Sequence, residues 1–138
     1  MSVTRFGVSI ENPLLERFDK LLKGKGYSSR SEAIRDLIRD SLVNEDWQSS
    51  AAETVGTITI VYSHKTRELP DTLTDIQHHY HNSIISTMHI HLDEHNCLEA
   101  IVVKGRAKDI KIIADRLIGT KGVKHGKLTV TTTGKSIT

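Results

Sequence analysis

In 138 positions the sequence carries one cysteine, two prolines and 4% aromatic residues. One cysteine excludes an internal disulfide framework, so stability must come from packing or assembly. Scarce aromatics mean a largely aliphatic core. No apolar run approaches the roughly 20 residues that span a bilayer. Met1-Ser-Val-Thr-Arg5 lacks an apolar signal segment. These absences predict a cytoplasmic protein with no membrane partner. Charge of one sign is also missing, with 19 Lys and Arg against 17 Asp and Glu. Residues 1–47 hold 8 of each sign, and residues 55–138 hold 11 basic against 8 acidic. Any nucleic-acid contact must therefore come from where charges sit, not from a basic body.

Histidine is what the chain has in excess. It has eight, none before His64, and His78, His79, His81, His89, His91 and His95 share one stretch. These histidines lie among apolar, strand-like residues, which argues against a solvated tail.

Two organisations follow one another. In Arg5-Phe-Gly-Val-Ser-Ile10, Phe6, Val8 and Ile10 alternate with Arg5, Gly7 and Ser9, as a half-buried strand requires. Asn12-Pro13 reads as an N-cap with proline at the first helical position. Leu14, Leu15, Phe18, Leu21 and Leu22 follow at helical spacing, and Lys23-Gly-Lys-Gly26 ends that helix. Ser29-Arg-Ser-Glu32 has the capping-box pattern and opens a second helix with Ala33, Ile34, Leu37, Ile38 and Leu42 as its apolar stripe. One lone strand is an unpaired edge and so small a core cannot stand alone. Pairing with the strand of a second copy answers both. Gln48-Ser-Ser-Ala-Ala-Glu-Thr54 reads as a linker, flexible enough to let the first domain swing.

Residues 55–138 read as strand 57–62, helix 69–81, strands 84–92 and 97–103, helix 107–117 and strand 123–132. This βαββαβ order is the ferredoxin-like arrangement, an antiparallel sheet with both helices on one face. The fold class is α+β: a β-α-α unit over residues 1–47, a linker over 48–54, and the βαββαβ domain over 55–138.

Strand parity places His89 and His91 on one face and Met88, Ile90 and Leu92 on the other. The apolar set is expected under the helices and the histidines on the helix-free face. A turn at Asp93-Glu-His-Asn96 sets Cys97 opposite His91, close enough to share an ion. Residues 97, 99, 101 and 103 then share the histidines' face, and Ile101 and Val103 there suggest a subunit interface. Two imidazoles and a thiolate suit zinc, copper, nickel or cobalt and disfavour magnesium or calcium. The fourth position is open to water, as in catalytic zinc sites, or to a histidine of another subunit. Glu99 reads as an outer partner to a ligand imidazole. His125 reads as structural and His64 is left unassigned.

Several of these segments resemble known families. Arg5–Ile10 with Ser29-Arg-Ser-Glu-Ala-Ile-Arg-Asp36 resembles ribbon-helix-helix DNA-binding proteins. Gln77-His-His-x-His81, His89-Ile-His91, Cys97-Leu-Glu99 and Gly122-Val-Lys-His-Gly126 resemble the nickel-responsive regulator family, NikR, in order and over nearly the whole chain. The resemblance implies a homotetramer, with two ribbon-helix-helix dimers flanking a core of ACT-like domains. It implies one square-planar nickel per chain, held by His89, His91 and Cys97 of one subunit and His78 of another. Nickel would favour operator DNA and repress nickel-uptake genes. Arg5, Gly7 and Ser9 would face the major groove, which a two-stranded ribbon fits. Gly7 stands where relatives often carry threonine and offers no side-chain contact. Tyr80 stands where a histidine can occur.

Ser29, Arg30 and Ser31, at the start of a helix, suit backbone phosphate as well as capping. Glu32 and Asp36 lie at i, i+4, where like charges repel. Arg35 and Arg39 are near enough to neutralise them, and the resemblance implies an alkali-cation site there, with potassium the candidate. Three rival readings exist: a non-metal, antitoxin-like interaction protein whose second domain binds a partner or an amino acid, a regulator that senses zinc, copper or cobalt, and a metallohydrolase. The His/Cys register opposes the first, ligand type alone leaves the second open, and the third lacks a base and would not need a DNA-binding segment. The chain is read as a non-enzyme with no small-molecule substrate.

Overall fold

The computed structural model describes residues 2–48 and 52–135. The chain divides into two compact units, Met1–Ser41 and Leu42–Thr138.

The first unit is helical. Helix α1 (Asn12–Lys25) begins one residue earlier than the sequence suggests. Glu11 is the N-cap, and its carbonyl accepts the Leu15 N–H at 3.0 Å. Asn12 lies inside the helix, and no side chain caps that end. Pro13 sits in the first turn, where a missing N–H costs nothing. At the other end Gly26 adopts φ 78°, and the N–H groups of Gly26 and Tyr27 bond back to the carbonyls of Lys23 and Leu22. Helix α2 (Arg30–Gln48) opens with half of the expected capping box. Ser29 Oγ accepts the Glu32 N–H at 3.2 Å. The Glu32 carboxylate instead accepts the Ser28 hydroxyl at 2.6 Å.

Leu22 and Ala33 are the buried apolar side chains of this unit among the described residues. Residues 2–10 belong to no ladder in the single chain. Phe6 is 70% exposed, and Leu14, Leu37, Ile38 and Leu42 are exposed as well. A strand is a hydrogen-bonding arrangement between neighbours, and two helices offer residues 5–10 no edge to pair with.

The second unit holds β1 (Glu53–Ser63), α3 (Leu69–His79), β2 (Ile84–His91), β3 (Asn96–Arg106), α4 (Ala107–Ile118) and β4 (Val123–Thr131). Gln48 closes α2 and Glu53 opens β1. Residues 49–51 of the expected linker lie outside the described residues. The sheet is antiparallel throughout, in the order β2-β3-β1-β4. β1 alternates strictly: Ile58, Ile60 and Tyr62 are buried, while Thr57, Thr59 and Val61 are half-buried on the other side. On α4, Ile110, Ile113, Ala114 and Leu117 recur at i, i+3, i+4 and i+7, one helical face, and all are buried. They close the core with Leu69, Leu73 and Ile76 of α3 and with Cys97, Ile101 and Val103 of β3. Trp47 packs against this core. The turn before β4 needs Gly122. Its φ is 102°, and a Cβ there would meet Leu69 Cδ2 at 2.9 Å.

The sheet faces are the reverse of the sequence expectation. Cys97, Ile101 and Val103 are fully buried on the helix-covered face, and Glu99 lies there too. The register pairs His89 with Glu99 and His91 with Cys97. Opposed residues point to the same side, so both histidines belong to the helix-covered face. Met88, Ile90 and Leu92 are on the helix-free face, exposed by 60%, 39% and 51%. Ile101 and Val103 are core residues and not an interface. Apolar parity misled because this sheet is apolar on both faces, and only the own helices distinguish them.

Candidate metal centre and DNA-binding segment

Cys97, the second residue of β3, lies directly opposite His91, the last residue of β2. The five residues between them form a tight turn in which Asp93 Oδ1 accepts the N–H groups of His95 and Asn96, both at 2.8 Å. Bonds from Asn96 and His95 hold the Asp93 carboxyl down to about 2. Lys124 of β4 donates to Asn96 Oδ1 at 2.6 Å, tying the turn to the sheet.

The structure brings together His64, His91 and Cys97. Their donor atoms all lie within 4.8 Å of one another. Cys97 Sγ is 3.2 Å from His64 Nδ1 and 3.5 Å from His91 Nδ1. His64 meets His91 edge-on at 5.6 Å between ring centroids. His89 is one step away, 5.1 Å from the His91 ring, and faces Tyr62 at 6.2 Å. His78 lies in the last turn of α3, exposed, and is not part of the cluster within this chain. His81 Nδ1 contacts the His78 carbonyl at 3.0 Å. His79 packs edge-on against Tyr80.

His64 was unassigned in the sequence because it follows β1 and fits no strand or helix pattern. Topology supplies the signal. β1 pairs with β3 so that Ser63 faces Asn96, and the His64 N–H donates to the His95 carbonyl at 3.1 Å. The next residue after β1 must therefore arrive beside the β2–β3 turn.

Glu99 faces His89 across the β2–β3 ladder. Its carboxylate accepts the Tyr62 hydroxyl at 2.6 Å and the Gln77 amide at 3.2 Å. Thr87 donates to the same Gln77 side chain at 2.9 Å. Glu99 is thus bonded to α3 and β1 side chains, and no bond joins it to a histidine. Burial first, and the neighbouring carboxylate second, push the Tyr62 phenol far up, so it remains a donor. Tyr62→Phe would leave a buried carboxylate one donor short. It is expected to cost about 1–3 kcal/mol, read as a lower urea midpoint at unchanged slope.

In the first unit Arg5, Gly7 and Ser9 are exposed. Ser29 caps α2. Arg30 makes a two-pronged ion pair with Asp19, both contacts at 2.9 Å. That bond lowers the Asp19 pKa and raises that of Arg30. Asp36 accepts the Tyr27 hydroxyl at 2.7 Å and an Arg39 N–H at 3.0 Å, which lower its pKa in that order. Glu32 and Asp36 are thus each engaged by protein donors.

A short α-helical hairpin after an exposed N-terminal segment, followed by an α+β unit with a buried cysteine between two imidazoles, defines a class: a small helical module joined to a module with a cluster able to hold a metal. Residues 4–45 match the ribbon-helix-helix protein model of the copG family, and residues 55–131 match the NikR C terminal nickel binding domain. The chain is 61% identical over 133 residues to a putative nickel-responsive regulator of Geotalea uraniireducens, covering 96% of each chain. It is 60% identical to one of Pyrococcus furiosus over 137 residues, covering 99% of each. With one of Caldanaerobacter subterraneus it shares 58% over 135 residues, 98% of this chain and 88% of that one. The chain belongs to the nickel-responsive regulator family, with a ribbon-helix-helix DNA-binding domain; this family consists of regulators and not enzymes. Among the described residues no helix is long and apolar enough to cross a membrane.

Proposed function

We propose that this protein is a cytoplasmic, nickel-dependent repressor of nickel-uptake genes, active as a homotetramer on operator DNA. The observation that carries the reading is the buried Cys97 thiol beside His91, on the sheet face that α3 covers. Thiolate and imidazole donors suit nickel, and they suit copper, zinc and cobalt too. The family's nickel-binding domain supports nickel among these. One ion per chain would be held by His89, His91 and Cys97, with His78 supplied by another copy. Glu99 would steady α3 through Gln77.

In this reading residues 1–47 are the DNA-binding domain, 48–54 the linker and 55–138 an ACT-like sensing and tetramerisation domain. Residues 5–10 become a strand when they pair with their copy, and Arg5 and Ser9 then read base edges while Gly7 offers only its backbone. Ser29, Ser31 and Arg30 suit phosphate, with Arg30 exchanging Asp19 for the DNA. Glu32 and Asp36 would take potassium in exchange for their present donors. An ion that favours one of two arrangements of the linked domains changes DNA affinity only by its differential affinity for them.

The test is a gel-shift titration with DNA from upstream of the host's nickel-uptake genes, comparing nickel, zinc, copper and cobalt. Tighter binding with nickel supports the proposal. Equal binding with and without nickel overturns it.

A further inference from the structure

Tyr80 interrupts the histidine run of residues 78–81, and it faces the other way from His78. Side chains two apart on a helix point roughly 200° apart. Tyr80 stands four residues after the buried Ile76 and so shares its inward side. It is half-buried and packs against the core, while His78 and His79 are exposed. Its ring lies under Arg116 of α4, with the guanidinium carbon 5.6 Å from the ring centroid. An Arg116 N–H donates to the Tyr80 hydroxyl at 3.2 Å. A cation over an aromatic face is attracted by the ring's quadrupole, and the planar guanidinium adds direction to that attraction. A histidine at position 80 would lack the hydroxyl and, when protonated, would repel the guanidinium.

The backbone of Tyr80 joins two elements. Its N–H donates to the carbonyls of Ile76 and Gln77, both at 3.2 Å, and closes α3. Its carbonyl accepts the N–H groups of Ser83 at 2.9 Å and Ile84 at 3.2 Å, where β2 begins. Those bonds need only a peptide group. The side chain adds an anchor on α4 that keeps the last turn of α3 from unwinding, as helix ends otherwise do. Gln77, in the same turn, is bonded to Glu99 and Thr87 of the sheet. The turn is thus held on two sides, and its exposed side carries His78 outward.

We propose that Tyr80, clasped by Arg116, is the positioning residue for His78: it fixes the end of α3 in the metal-free chain, so that this imidazole stands ready to complete another copy's nickel site. The inference rests on the nickel-sensor reading above. A ligand that is already fixed loses little freedom on binding, whereas a frayed one must be ordered as it binds, which weakens the complex. Tyr80 does not touch the ion. It acts through His78, and that route can be tested.

The experiment uses the purified full chain with nickel as the probe. Tyr80→Ala, Tyr80→Phe and Arg116→Ala are made alone, and Tyr80→Ala and Arg116→Ala are also combined with His78→Ala. Nickel affinity is measured by competition with a chelating dye, and amide hydrogen exchange along α3 by mass spectrometry without metal. Tyr80→Ala is expected to weaken nickel binding about 10-fold, the lower end of what losing a ligand's outer partner costs. It should also speed exchange at residues 76–80. Tyr80→Phe keeps the ring under the cation and should fall between Tyr80→Ala and the parent chain. Arg116→Ala, an exposed change that leaves the core filled, should follow Tyr80→Ala and carries the same test if that variant does not fold. Added to His78→Ala, neither change should cost anything further, because a group acting through His78 has nothing left to act on. Equal losses with and without His78 would mark a general loss of stability and overturn the proposal. Undiminished nickel affinity or unchanged exchange in the folded variants would overturn it as well. The underlying ligand set fails separately, if His78→Ala alone leaves nickel binding intact.

Discussion

A Cys97→Ala chain is expected to lose the nickel charge-transfer band entirely and to bind nickel at least 100-fold more weakly, a floor set by the roughly 10–100-fold cost of losing a mere outer partner. It should then bind DNA identically with and without nickel. The argument is local. Cys97 is the only sulfur donor of this kind in the chain. It is fully buried, with imidazole nitrogens at 3.2 and 3.5 Å. No other side chain on that face can replace a thiolate. The fold should survive, because alanine suits the same apolar site and removing one heavy atom costs about 1 kcal/mol, the scale of one buried methylene. Absorption titration, isothermal calorimetry and gel shift check the three parts. A variant that keeps the band and the affinity would remove Cys97 from the ligand set.

Ile38→Asp should have the opposite profile, with DNA binding lost and nickel binding kept. In the single chain Ile38 is 47% exposed, on a unit whose buried apolar side chains among the described residues are Leu22 and Ala33. So small a core is inadequate alone. Phe6, Leu14, Leu37 and Leu42 leave further apolar surface uncovered. If a second copy covers this face, a lone carboxylate placed there costs several kcal/mol per subunit. If the face is solvent, the change stays within about 0.5 kcal/mol. Light scattering on the 1–47 fragment and gel shift on the full chain separate the two. Undiminished DNA binding by the variant would show that this surface is not a dimer face.

The secondary structure was largely legible because its signals are local. The period-2 run at Thr57–Tyr62 and the i, i+3, i+4, i+7 series on α4 each specify one element by themselves. So did the opposition of His91 and Cys97, which follows from a turn of fixed length. The orientation of the sheet was not legible. Met88, Ile90 and Leu92 look like core residues, and nothing local distinguishes a face covered by the chain's own helices from one that another copy would cover. β1 held the better signal, since Thr57 and Thr59 mark its poorer face and Ile58, Ile60 and Tyr62 its richer one. Converting that into the face of His91 requires two inter-strand registers, which no single segment contains. His64 was hidden for the same reason, as its neighbour His95 is 31 positions away in sequence and adjacent only through the β1–β3 pairing.

Along the end of β2 and the residue after it, side chains alternate one by one between the helix-free and the helix-covered face: Met88, His89, Ile90, His91, Leu92. Pairing offset by a single residue would turn every one of them over. One amino acid inserted into or deleted from the turn at 93–96 would therefore send the imidazoles to the outer face and drive methionine, isoleucine and leucine against the cysteine. Surface loops ordinarily tolerate length changes. This one should not, because its length is the ruler that keeps His89, His91 and Cys97 on one side of the sheet and Met88, Ile90 and Leu92 on the other.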